Sequence, residues 1–163
     1  MLDVPHLRQA KAFTCGPACV NMLLRYHGIV ETELAIAEAL GTTPREGTNP
    51  RTLASYLRAQ GFVAHSKSRR NLADIKADIN KGRPVIVAYQ AHGPRGTDYA
   101  TCWDQGHYGI VVDVDSKRVT LCDPSSKRSR RHYDISDFVA RWRDISAGGV
   151  VFLQWGLSVG PKR

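Results

Sequence analysis

Residues 106–124 read GHYGIVVDVDSKRVTLCDP. Two apolar, strand-sized runs flank a short polar stretch, and this predicts an antiparallel hairpin of His107–Val114 and Arg118–Asp123. A tight turn through Val114-Asp115-Ser116 sets Asp113 opposite Lys117, so that paired residue numbers sum to 230. Val111 then faces Val119, Gly109 faces Leu121 and His107 faces Asp123. A Lys–Asp pair, a β-branched pair and an imidazole–carboxylate pair fall into place together. A slip of one residue would put His107 and Asp123 on opposite faces. The hairpin therefore sets a carboxylate beside an imidazole, where it fixes the tautomer and stabilises the imidazolium. The plainer alternative is a structural polar pair at a strand end.

Outward from the hairpin, Pro84–Gln90 and Gly149–Trp155 also read as strands, and Phe62–Ser66 as a short edge strand. The first half reads helical. One helix opens at Gly16-Pro17 and stops at Gly28. Others cover Glu31–Leu40, a segment capped at Asn49-Pro50 and running to Gln60, and Asn71–Lys81. A further helix, Ser136–Arg143, lies between the last two strands. Helices first and mostly consecutive strands afterwards predict an α+β fold with an antiparallel sheet, not a doubly wound one. The connection Gln90–Gly106 is long for a compact domain and carries Tyr99 and Trp103, which marks it as a candidate lid.

With 163 residues the chain fits one domain, expected over residues 1–155 with a short C-terminal tail at 156–163. No apolar run approaches the roughly 18 residues of a membrane span. The N-terminus lacks a basic start and an apolar core, so no signal peptide is expected. The four cysteines (15, 19, 102 and 122) are unevenly spaced. They read as reduced thiols in a cytoplasmic protein, without zinc-site spacing. The net charge is +8, part of it clustered in Lys67–Arg70 and Lys127–His132. The second run directly follows Asp123-Pro124 and could steer an acidic partner; a solvated loop is the simpler reading. No aromatic residues interleave the basic runs, which argues against nucleic acid.

Cys15 sits where a helix begins. A thiol there meets unpaired amides and the positive dipole end, which favour the nucleophilic thiolate. The alternative is a small buried cysteine, and Cys19, one turn deeper, is assigned to the core. Gln9, six residues ahead of Cys15, can donate its side-chain amide to a developing oxyanion together with the backbone N–H at Cys15; otherwise it is an exposed loop residue.

The stretches Val4-Pro-His-Leu-Arg-Gln9, Thr14-Cys-Gly-Pro-Ala18, Gly106-His-Tyr-Gly-Ile-Val111 and Leu121-Cys-Asp-Pro124 resemble the papain-like cysteine peptidases that process bacteriocin leaders. Those are best known as N-terminal domains of peptide-exporting ABC transporters that cut after a double glycine. The resemblance runs from about Leu2 to Trp155. It implies a papain-like fold with the site between a helical half and a sheet half. It also implies Cys15 as nucleophile, His107 as base, Asp123 as its orienting partner and Gln9 as oxyanion donor. The expected reaction is peptide-bond hydrolysis through a thioester on Cys15, after glycine residues if the likeness extends to substrate, with no metal or organic cofactor. No GxxxxGK[ST] phosphate loop is present, so a stand-alone form without a transporter is expected. Two alternatives remain open: transpeptidation or amide transfer on the same site, and a non-catalytic basic binding module.

Overall fold

The helix starts are written in their caps. The Thr32 side chain accepts from the Ala35 amide and opens α2 (Glu33–Leu40). Asn49 accepts from Arg51 N–H, and Pro50, which has no amide hydrogen to lose, takes the first position of α3 (Pro50–Ala59). Asn71 and Asp74 form a reciprocal capping box at α4 (Leu72–Asn80). The exception is α1 (Cys15–Tyr26). Its Thr14 side chain makes no cap and bonds instead to the Lys11 backbone, so no side chain covers the amides that start this helix.

The computed structural model describes residues 1–162. After α3 come β1 (Phe62–Lys67), α4, β2 (Val85–Gln90), β3 (Gly106–Val114), β4 (Arg118–Cys122), β5 (Arg131–Asp134) and α5 (Ile135–Arg141). The last elements are β6 (Arg143–Ile145), β7 (Val151–Leu153) and β8 (Gly156–Lys162). Six strands form one antiparallel sheet in the order β1-β8-β2-β3-β4-β5, while β6 and β7 form a separate hairpin. The fold is α+β, as expected, with β1 at the edge. Alternation along β2 and β3 divides the core. Ile86, Ala88, Tyr108, Ile110 and Val112 pack toward α1–α3. Val85, Val87, Tyr89 and Val111 pack toward α4 and α5. Because β2 is buried on both faces, its sequence is an unbroken apolar run and not an alternation.

Three expectations are corrected. Of the tail expected at 156–163, Gly156–Lys162 is instead β8, inserted between β1 and β2, and residue 163 lies outside the described residues. The strand expected over Gly149–Trp155 shrinks to β7, paired with β6. The hairpin register is also different. The Asp115 carboxylate accepts from the amides of both Lys117 and Arg118 at 2.7 Å and closes a two-residue turn. Val114 consequently pairs with Val119 and Asp113 with Thr120. An irregularity between Val111 and Asp113 then brings Val111 opposite Leu121 and Ile110 opposite Cys122. Continued outward, this register sets Gly109, not His107, across from Asp123. The net slip is two residues, so His107 and Asp123 still share a face and meet diagonally.

Candidate active site

Cys15 opens α1, His107 is the second residue of β3, and Asp123 follows β4 directly. The three converge. His107 Nε2 lies 2.8 Å from Asp123 Oδ1, and Cys15 is close enough on the cleft side for its side chain and charge to help raise the His107 pKa. With Nε2 committed to the carboxylate, Nδ1 is left for sulfur. Asp123 is fully buried and His107 nearly so, whereas Cys15 is half-buried and opens to a cleft of about 820 Å³.

Asp123 is saturated with partners. Oδ1 also accepts from Ser125 N–H at 2.8 Å and Ser125 Oγ at 2.7 Å. Oδ2 accepts from Tyr89 OH at 3.3 Å and Arg131 Nη1 at 3.2 Å. Burial acts to raise its pKa, but the bonds and charge of His107, with those of Ser125, hold the carboxyl far below the usual carboxylate range. For His107 burial acts to lower the pKa, and the bonds to Asp123 and Cys15 outweigh it, raising it to about 9. The histidine is therefore held as an imidazolium at neutral pH. Gly109 makes room for this arrangement: a Cβ there would lie 3.1 Å from the Tyr89 ring and from Leu121.

A second histidine covers the pair. The His92 ring packs edge-on against His107 with centroids 4.7 Å apart. Its Nε2 is 2.9 Å from Ser125 Oγ. The single Ser125 hydroxyl hydrogen is used on Asp123, so His92 donates. Burial first, then the His107 charge, push the His92 pKa down. The nitrogens of His92 and His107 and an Asp123 oxygen lie within 4.8 Å of one another, a spacing that a metal ion can use. The donors do not suit one. Both Asp123 oxygens are already engaged, and the Arg131 guanidinium sits on Oδ2, where a cation would be repelled.

Gln9 lies beside these residues but turns away from the cleft. Its backbone N–H bonds to Pro124 O at 2.9 Å. Its side-chain Nε2 donates to the carbonyls of Lys11 at 2.7 Å and Ala12 at 3.1 Å, and its buried Oε1 has no partner. Both amide hydrogens thus hold the loop that leads into Cys15. The geometry brings Cys15, His107 and Asp123 together, while the Gln9 amide is engaged by the loop and does not join them.

Sequence reading overlooked Ser125, Arg131, Tyr89 and His92. Ser125 carried a usable signal, because Asp-Pro-Ser is a turn in which an Asp carboxylate takes the amide two residues on. Arg131 was hidden inside a run read as solvated. Only the pairing of Leu121 with Arg131 delivers it to Asp123. Its neighbour Arg130 is likewise used, bonding to Val4 O at 2.9 Å and facing Asp3 at 3.7 Å. Lys127 and Arg128 remain exposed. The long connection after β2 is pinned: Arg143 donates to Tyr99 O at 2.7 Å and the Arg141 guanidinium lies 3.4 Å from the Tyr99 ring centroid. Trp103 stands on the cleft wall.

The model of the peptidase C39 like family matches residues 1–150. The chain belongs to that family. An uncharacterized protein of Methanothermobacter marburgensis is 29% identical over 129 residues, covering 79% of this chain and 78% of its own. Among solved C39 structures, the peptidase domain of Streptococcus ComA, a bifunctional ABC transporter involved in quorum sensing, superimposes with a TM-score of 0.73 at 16% identity, covering 98% and 99% of the two chains. A double glycine motif protease from an AMS/PCAT transporter, solved with its leader peptide, gives 0.68 at 17% identity over 98% and 93%. These likenesses establish the papain-like C39 fold for this chain. Among the described residues, no helix is long and apolar enough to cross a membrane.

Proposed function

We propose that this chain is a cysteine peptidase that cleaves a peptide bond through a thioester on Cys15. The observation that carries the proposal is the buried Asp123–His107 contact at 2.8 Å, with His107 and Cys15 lining the same cleft. A carboxylate so placed keeps His107 charged and aims its other nitrogen at the sulfur. The Cys15 thiolate attacks the scissile carbonyl carbon and the C=O electrons move to oxygen. The uncapped start of α1 faces that oxyanion, and Gln9 adds a donor when it lets go of the Lys11–Ala12 carbonyls. The C–N bond breaks as His107 Nδ1–H protonates the leaving amine. Neutral His107 then takes a proton from water, hydroxide adds to the thioester, and the acid product leaves with the thiolate restored. The leader-bound relative supports a peptide cut after glycine residues as substrate. Amide transfer differs only in the second step, with an amine in place of water. A purely binding role leaves the saturated Asp123 and the open thiol unexplained.

The proposal is tested by incubating the protein with glycine-containing peptides and reading products by mass spectrometry, with and without an added amine. New termini carrying water support hydrolysis, and amine adducts support transfer. Absence of both, together with a Cys15 no more reactive than Cys102, would exclude a peptidase.

Two further outcomes are expected. The pH profile of kcat/KM should fall on the alkaline side near pH 9, where His107 loses the proton that the leaving amine needs. In Asp123→Asn that limb should move down toward the ordinary histidine value of about 6.5. A limb that stays put would remove Asp123 from control of His107. Gln9→Ala should lower kcat by about 10²–10³, the usual cost of one oxyanion donor, with KM little changed. A loss carried mainly by KM would make Gln9 a substrate-binding residue instead.

A further inference from the structure

The chain is strongly basic, yet among the described residues no Lys or Arg lines the cleft above Cys15; its charged walls are Glu46, Asp104 and Asp144, with His107 at the floor. Asp144, in β6, is the best placed. Its Oδ1 accepts from Gln90 Nε2 at 3.2 Å and from Ile145 N–H at 2.8 Å. Gln90 is fully buried and fixed in turn by Arg143 O and Gln105 N–H. The carboxylate is therefore aimed and not free to swing. It stands against the backbone one residue before His107: a Cβ on Gly106 would come within 2.4 Å of Oδ1, so a side chain at 106 would displace it. Arg143, its neighbour in sequence, is turned away onto Tyr99 O and the Trp103 ring. Among the described residues Asp144 has no salt-bridge partner, and its Oδ2 accepts no hydrogen bond. Burial raises its pKa to about 6, which still leaves it ionised at neutral pH.

The His107 imidazolium acts on Asp144 only from a distance, with no ion pair between them, so this oriented carboxylate, in a cavity that a nucleophile opens into, keeps an oxygen free for a cation on the substrate. Resting on the peptidase reading above, we propose that Asp144 is a specificity-determining residue that selects a peptide with a positive charge close to the scissile bond. The charge is an ammonium or guanidinium, supplied by a Lys or Arg side chain or by a free amino terminus. Glu46 and Asp104 reinforce the same sign along the cleft. An acidic peptide, which the basic run Lys127–His132 would attract, meets the opposite field at the point of chemistry.

The test uses peptidyl chloromethyl ketones ending in glycine, with Lys, Gln or Glu at each of the three preceding positions, N-acetylated or free. The rate of Cys15 alkylation is followed by mass spectrometry. At one position Lys should exceed Gln by about tenfold and Glu by more. A preference confined to probes with a free amino terminus identifies that terminus as the cation. Asp144→Asn, which keeps the bonds from Gln90 and Ile145, should bring the Lys/Gln ratio to about one, and Asp144→Glu should restore part of it. Equal rates for Lys, Gln and Glu with Cys15 still labelled would overturn the charge selection and leave the peptidase reading standing, as would a Lys preference that survives Asp144→Asn. If no probe labels Cys15 faster than Cys102, the peptidase reading falls and the selectivity with it.

Discussion

Cys15→Ala is expected to reduce turnover to background while leaving the fold intact. Loss of the nucleophile of a protease triad costs on the order of 10⁶ in kcat, and nothing else in this cleft can replace it. Cys19 is completely buried, and burial raises its pKa well above that of a free thiol. Cys122 is buried as well, its pKa pushed up to about 11. Cys102 is partly exposed, but its thiol faces Asp104 Oδ1 at 3.1 Å, on the long connection after β2, and it is not among the residues lining the cleft. Cys15 alone joins exposure to contact with an imidazolium. Its side chain is small and at the surface of the core, so removing one sulfur leaves little cavity and the melting temperature should move by no more than a degree or two. The check is parallel: turnover on a peptide substrate, thermal unfolding, and alkylation mapped by mass spectrometry in wild type, Cys15→Ala and Cys102→Ser. Persistent turnover in Cys15→Ala would displace the thioester mechanism entirely.

The helical half was legible because its signals are local. Asn49 and Asn71 are each the cap that the structure uses, and Gly41 takes the left-handed turn that ends α2, although α2 starts after a Thr32 cap and not at Glu31. The sheet was less legible because pairing is not local. Gly156–Lys162 contains two glycines and a proline, a poor strand by composition. It becomes β8 because β1 and β2 offer it partners on both sides, Lys67 pairing with Gly156 and Val85 with Ser158. The hairpin shows how side-chain chemistry can override pattern. A Lys–Asp cross-strand pair is worth less than one kcal/mol, whereas Asp115 collects two amide hydrogen bonds in the turn and sets the register from there.

The three residues that meet in the candidate site were readable as candidates because each combines an unusual type with a boundary: Cys15 at a helix start, His107 after a glycine, Asp123 before a proline. Their support was not. Arg131 lies eight residues beyond Asp123 and Tyr89 comes from a different strand; both meet the carboxylate only through the ladder of β2 to β5. Gln9 marks the opposite limit. Spacing sets it on the loop before Cys15 but does not give the direction of its amide, which depends on the carbonyls at Lys11 and Ala12.

That support makes Asp123 the residue whose loss should be felt both in rate and in stability. Asp123→Ala leaves the buried His107 without its charge partner and the partly exposed Arg131 without its acceptor. Breaking a buried pair by removing one member costs about 3–5 kcal/mol, and His107, no longer held, loses orientation and charge together. A fall of about 10⁴ in kcat/KM is expected, as for the orienting carboxylate of serine triads. Asp123→Asn should lose less of both, because its amide oxygen still accepts from His107 Nε2, although it no longer answers Arg131. The stability term has a pH signature. Asp123, whose pKa is depressed by folding, contributes fully above its unfolded value of about 3.9 and loses that contribution as pH falls toward its folded value. His107, raised to about 9, contributes fully below about 6.5 and loses that contribution as pH rises through 9. Wild type should therefore exceed Asp123→Ala most between about pH 4 and 6.5, with the gap narrowing on either side. Urea unfolding of both proteins from pH 3 to 10 measures it. A gap independent of pH would mean that Asp123 acts by packing alone, and the charged His107–Asp123 pair would have to be abandoned.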